Sequence, residues 1–170
     1  MLERSLTYHL SSITEDGIGN ANHIFEVRFG WSVRELRVLR LVRETPGITF
    51  TVLAEMTKFE RSLTSRIVTS LIKAGLIMRA NSSVDGRRFT LEATTEGEAL
   101  CAEADPLTRD LEILMLSPLT EEERQRFMVM VERVRAWVQG GYAREVAARY
   151  PEVRARKPRA NRSLPQSALE

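Results

Sequence analysis

Apolar residues recur at helical spacing along most of this chain, and the rhythm breaks into strand-like alternation near its middle. Leu36, Val38, Leu39, Leu41 and Val42 form a wide apolar stripe behind Ser32. Ser32 stands three residues before Glu35, the spacing of a capping box. That helix stops before Pro46-Gly47, a strong breaker pair. Thr49 or Thr51 opens a short helix carrying Val52, Leu53, Ala54 and Met56, and a turn follows around Thr57 to Phe59. Arg61 to Ala74 then forms a second helix. Its buried face is Leu63, Ile67, Val68 and Leu71, and Ser62, Ser65, Arg66 and Thr69 fall opposite. Gly75 closes it as a glycine just past a helix end does. Leu76 to Ala80 and Arg88 to Ala93 have strand character; Phe89, Leu91 and Ala93 alternate with Arg88, Thr90 and Glu92. Asn81 to Gly86 is turn-rich, so the two strands make a hairpin.

The flanks are helical. Leu6 to about Gly30 predicts a helix interrupted near Gly17 and Gly19, since each glycine costs about 1 kcal/mol relative to alanine. Thr95 with Glu98 predicts a second capping box and a long helix through Leu100, Ala104, Leu107, Leu111 and Leu114, bent or split at Asp105 by Pro106. Ser117-Pro118 ends it. Thr120 with Glu123 opens another helix, with Phe127, Met130, Val131, Val134, Trp137 and Val138, which Gly140-Gly141 ends. From about Tyr150 the chain is rich in Arg, Pro, Ser and Ala and reads as poorly ordered. Helix, turn, helix and hairpin in that order is a winged helix-turn-helix. The expected fold class is mainly α with a small two- or three-stranded wing.

Charge sharpens the picture. The net charge of the 170 residues is only +2, which alone does not argue for nucleic acid. Between Lys58 and Thr90, however, seven basic residues stand against two acidic ones, a net of +5. A positive segment on a slightly acidic body suits a protein that meets phosphate with one face. Cys101 is the single cysteine, which excludes an intramolecular disulfide and suits a reducing compartment. The N-terminus lacks the apolar core of a signal peptide, and no run approaches the roughly 20 apolar residues of a membrane span. A cytoplasmic protein without a membrane partner is expected.

From roughly Leu6 to Val138, and most specifically from Leu53 to Gly97, the chain resembles the MarR-type transcription regulators. The residues that carry the likeness are Leu53-Ala54, the run Leu71, Lys73, Gly75, Leu76, Ile77 and Arg79, the hairpin residues Asp85, Arg87 and Arg88, and Thr94 or Thr95 with Glu96 and Gly97. Two glycines in the first helix and Ala93-Thr94 before the long helix depart from the family pattern. The resemblance implies a homodimer whose dimerisation region is residues 1–30 and 95–141. It implies a winged helix-turn-helix DNA-binding region at 31–94 and leaves 142–170 as a basic, flexible C-terminal tail. Two reading helices about 34 Å apart would then meet a pseudo-palindromic operator in double-stranded DNA.

Ser62, Thr64, Ser65, Arg66 and Thr69 are the candidates for the major groove or its phosphates. Arg66 is long enough for a bidentate guanine contact worth about 1–3 kcal/mol. Arg87 is the candidate for the minor groove. Asp85 repels phosphate and, as the resemblance implies, supports the wing by pairing with an arginine; Arg88 is its partner or a phosphate contact. Lys58, Arg61, Lys73 and Arg79 are ordinary phosphate candidates. The resemblance also implies a repressor released by a small organic effector, often an aromatic acid. Tyr8, His9, His23, Phe25, Arg28 and Trp31 are the candidates to hold it. Two alternatives stand beside this: a redox-responsive regulator acting through Cys101, and a winged helix that binds only protein. Catalysis has no motif behind it. His9 and His23 are too far apart for adjacent helical metal ligands, and no cofactor is expected.

Overall fold

The computed structural model describes residues 5–81 and 89–151. Contacts divide the chain into two units, Met1–Met115 and Leu116–Glu170. The first holds α1 (Leu6–Phe29), α2 (Val33–Glu44), β1 (Ile48–Thr49), α3 (Phe50–Thr57), α4 (Arg61–Lys73), β2 (Ile77–Asn81), β3 (Phe89–Ala93) and α5 (Thr95–Met115). The strands form one antiparallel sheet in the order β1-β3-β2, with Ile48 opposite Leu91 and Ile77 opposite Ala93. The fold is therefore mainly α with a three-stranded wing sheet; β1 is its third strand.

Helix boundaries follow local chemistry. Ser32 and Glu35 form the expected capping box at α2, and the Thr49 side chain caps α3. The end of α4 is a Schellman turn: Gly75 N–H donates to the Ile72 carbonyl and Leu76 N–H to the Leu71 carbonyl, with Gly75 at φ 74°. Leu36, Leu39, Val42, Leu53, Leu71, Ile77, Leu91 and Cys101 build the core, all of them nearly or wholly inaccessible to solvent.

Three expectations are corrected. The first helix is not interrupted: α1 runs through Gly17 and Gly19 without a break. Its glycines thin the helix instead. Met115 Sδ lies 3.1 Å from where a Gly17 Cβ would sit, and nothing approaches Gly19. Pro106 does not split α5, which is continuous to Met115. The cap of α5 is Thr94, not Thr95 with Glu98. Thr94 Oγ1 accepts from Gly97 N–H at 3.1 Å and donates to the Gly75 carbonyl at 2.6 Å, and Thr94 N–H donates to the Leu76 carbonyl. One threonine thus ties the end of α4 to the start of α5. Gly97 is required there, because a Cβ would overlap the Leu76 carbonyl oxygen and crowd Leu39 Cδ1.

The second unit holds α6 (Glu121–Trp137) and α7 (Ala143–Arg149). Thr120 and Glu123 form the expected capping box. Gly140-Gly141 does not end the helical run; Val138–Tyr142 is a π-helical turn that carries it into α7. The Trp137 ring lies against Gly141, where any Cβ would collide with it. No residue of α6 is buried.

Candidate nucleic-acid interface

The reading helix is set by the turn before it. Thr57 and Thr64 are both buried, and their hydroxyls meet at 3.2 Å. Thr57 Oγ1 also donates to the Ala54 carbonyl and accepts from Phe59 N–H, while Thr64 Oγ1 donates to the Glu60 carbonyl. These bonds pin a turn in which Lys58 takes a left-handed backbone, φ 58°. Thr64 is therefore corrected from groove contact to internal strut: its side chain has no accessible surface to offer a duplex. Its position two residues after Ser62 and one before Ser65 turns it inward, because α4 repeats every 3.6 residues.

The remaining residues named for α4 stand on its exposed side. Ser62, Ser65, Arg66, Thr69 and Lys73 are all exposed. Thr69 Oγ1 donates to the Ser65 carbonyl at 2.9 Å, so its hydrogen is committed and its lone pairs face outward. Ser65, Arg66, Thr69, Ser70 and Lys73 line a shallow depression of about 300 Å³. From Arg61 to Lys73 the helix carries three bases and no acid. Glu60, at its N-cap, makes no side-chain capping bond, so the first-turn N–H groups remain available to an anion.

Aromatic rings hold several cations of this region. The Arg61 guanidinium lies 5.0 Å from the Phe50 ring centre, Arg79 4.6 Å from Phe89, and Arg37 5.7 Å from Phe59. Such stacking restricts a long side chain without neutralising it. Asp85, Arg87 and Arg88 lie outside the described residues.

The six residues named for an effector are not gathered into one place. Tyr8 and Arg28 are twenty positions apart on an unbroken helix, about 30 Å at 1.5 Å per residue. Phe25 is buried in the core and packs against Phe29; Tyr8, His9, His23 and Arg28 are exposed and Trp31 is half-buried. The expectation placed all six near the junction of the dimerisation and DNA-binding regions, and the continuous α1 spreads Tyr8 to Arg28 along its length instead.

A cavity of about 630 Å³ lies elsewhere, between α1, the start of α2 and α4. Ile18, Leu63 and Ile67 give it apolar surface; Glu15, Arg34 and Arg66 bring charge; Gly19 leaves it open on the α1 side. Three of its polar members, Ser32, Glu35 and Asn22, are already committed. Glu35 accepts from Ser32 N–H and Oγ, and Asn22 accepts from Val33 N–H and donates to Glu26. Arg34 and Arg66 form no ion pair among the described residues. None of the six named residues lines this cavity. Neither Glu15 nor Arg34 carried a sequence signal, since lone charges on helices ordinarily face solvent.

Cys101 is fully buried, and burial pushes its thiol up despite Arg43 and Arg40 nearby. A thiol so placed is poorly reactive, which weighs against a redox switch. Among the described residues, no helix is long and apolar enough to cross a membrane, and no acid, histidine and cysteine cluster suits a metal ion.

Known proteins share this fold. A sequence model of the MarR family matches residues 29–88. The transcriptional regulator HosA of Escherichia coli is 28% identical over 97 residues, covering 57% of this chain and 72% of that protein. A transcriptional repressor of Mycobacterium tuberculosis is 26% identical over 105 residues, 62% of this chain and 76% of its own length. Its solved structure with p-aminosalicylic acid superposes with a TM-score of 0.65 at 22% identity, covering 76% of this chain and 98% of that one. The Staphylococcus aureus MepR–DNA complex superposes with a TM-score of 0.66 at 20% identity, covering 78% and 97%.

Proposed function

Since the chain belongs to the MarR family of winged helix-turn-helix transcriptional regulators, we propose that it is a dimeric repressor of the cytoplasm that grips a pseudo-palindromic operator and releases it when a small aromatic acid binds. Residues 31–94 are the DNA-binding region. Residues 1–30 and 95–141 are the dimerisation region, and 142–170 a basic tail. In each copy α4 enters a major groove, and Arg87 at the hairpin reaches the neighbouring minor groove. Ser62, Ser65, Arg66 and Thr69 read base edges, while Lys58, Arg61, Lys73 and Arg79 meet phosphates. Asp85 and Arg88 shape or extend the hairpin contact.

The observation that carries this reading is the exposed, acid-free face of α4, with Arg66 at its centre and no ion pair among the described residues. An apolar partner would not be recognised by such a face. A duplex would, because it supplies phosphates at the rim and acceptors on its base edges. The MepR structure contains DNA, and that precedent supports the same use of the fold here. The effector is assigned to the α1–α2–α4 cavity, whose volume falls in the range of small-ligand sites. The mycobacterial relative was solved with an aromatic acid, which supports that class of ligand.

The test is fluorescence anisotropy with a duplex selected by the protein from a randomised pool. Binding should weaken steeply with salt, with a slope of about −0.9 per phosphate neutralised. Arg66→Ala and Arg87→Ala should each lose about 1–3 kcal/mol of specific affinity with an unchanged thermal midpoint. Normal operator binding by both variants would refute the assignment of the interface. Absence of any salt-dependent duplex binding would favour a module that contacts protein alone.

A further inference from the structure

Arg66 belongs to two surfaces at once. It lines the shallow depression on the exposed face of α4, with Ser65, Thr69 and Lys73, and it also lines the larger cavity between α1, α2 and α4. Its side chain is exposed, and no partner among the described residues holds it on either side. The two surfaces adjoin, sharing Ser70 as well as Arg66, and a guanidinium fork engaged by an anion in one is no longer free to clamp an anion in the other.

Resting on the assignment of that cavity as the effector site, we infer that the effector is an aromatic acid carrying a second hydrogen-bond donor remote from its carboxylate and that it acts by taking Arg66 away from DNA. Arg34 and Arg66 converge on the cavity as its two cations, so a carboxylate bound there has Arg66 as one of its clamps. Ile18, Leu63 and Ile67 supply a surface for an apolar ring. Glu15 is the one acid of the lining not committed to a helix cap, so it selects a ligand with an amino or hydroxyl donor remote from the carboxylate. Ligand and duplex then compete for one side chain within one subunit. This coupling requires no change in the spacing of the two reading helices.

The shared arginine has a thermodynamic signature, because coupling between two ligands is reciprocal. Isothermal titration calorimetry would measure p-aminosalicylate and salicylate binding to the full-length protein, free and saturated with its selected duplex. Circular dichroism melts would verify the fold of each variant. The wild type should bind p-aminosalicylate at least tenfold more weakly when duplex is bound, and duplex affinity should fall by the same factor at saturating p-aminosalicylate. Arg66→Ala should weaken both partners and bring the coupling factor close to one. Arg66→Lys, which keeps the charge and loses the fork, should lie between. Glu15→Gln should abolish the preference for p-aminosalicylate over salicylate. If Arg66→Ala binds p-aminosalicylate like the wild type, or keeps the full coupling factor, the shared-arginine mechanism is overturned while the cavity stands. If neither acid binds the free wild-type protein, the cavity assignment itself falls and this inference with it.

Discussion

Lys58 holds a left-handed backbone, φ 58°, that costs an L-residue about 1–2 kcal/mol. The turn from α3 to α4 demands it, because Thr57 and Thr64 must meet underneath. Lys58→Gly should therefore raise the urea midpoint by the equivalent of about 0.5–1 kcal/mol, the strain relieved less the extra entropy of glycine. The same variant should lower the salt slope of duplex binding by about one if the ammonium touches phosphate. Thr94 is a second residue whose role is geometric. Thr94→Val removes the cap of α5 and the bond to the Gly75 carbonyl together. A loss of about 1–2 kcal/mol in chemical denaturation is expected. Neighbours on α4 illustrate how fine the division is: Thr64 is spent inside while Ser65 stands outside. The apolar stripe of Leu63, Ile67, Val68 and Leu71 located the inner face correctly, but it said nothing of a hydroxyl that finds a buried partner.

Helices are joined here by a few polar locks laid over the apolar core. Arg40 Nε lies 2.7 Å from Asp105 Oδ1 and Arg43 Nη1 2.9 Å from Oδ2, and Arg40 also donates to Thr108 Oγ1. This clamp fastens α2 to α5 at the residue before Pro106. Partial burial pushes the Asp105 carboxyl up, but the hydrogen bonds from Arg40 and Arg43 outweigh it and hold the carboxyl below its ordinary range. Its contribution is thus complete above the ordinary carboxylate pKa of about 4 and fades as pH falls through the lower folded value. Urea titrations from pH 6 downward should show a decline below about pH 4 that is shallower in Asp105→Asn. At neutral pH that variant should cost about 1–3 kcal/mol, since two half-buried guanidinium groups lose their anion. Gly97→Ala should cost more than about 2 kcal/mol, because backbone rather than a flexible side chain occupies the space. The glycine of the Thr-x-Glu-Gly signature is thereby explained by the contact of α5 with the Leu76 carbonyl.

At the scale of the molecule, the exposed apolar surface is the unfinished part. In the first unit Leu6, Tyr8, Leu10 and Ile13 on α1 and Ile113, Leu114 and Met115 on α5 are exposed. In the second, Met128, Val129, Met130, Val134, Trp137 and Val138 are exposed as well. That much apolar surface is more than an isolated chain ordinarily leaves to water, which supports the proposed homodimer. Sedimentation equilibrium should give twice the 19.4 kDa chain mass, and Val134→Asp should shift the protein toward monomer by at least tenfold in dissociation constant. A monomeric wild type at micromolar concentration would remove the two-headed reading of DNA.

Much of this protein was legible without coordinates. The 3.6-residue and two-residue rhythms, the Ser32 box, Pro46-Gly47 and Gly75 located every element of the winged module except β1, and the Thr120 box located the start of α6. They did so because burial period and cap chemistry are local properties of the chain. What sequence could not reveal depended on which elements meet. Whether Gly17 and Gly19 break α1, whether Pro106 splits α5, and whether Thr64 faces out were decided by neighbours remote in sequence. Tertiary packing outweighs about 1 kcal/mol of helix propensity at a glycine. It also brought Glu15, Arg34 and Arg66 from three helices to one cavity, a convergence that exists only once those helices are packed together.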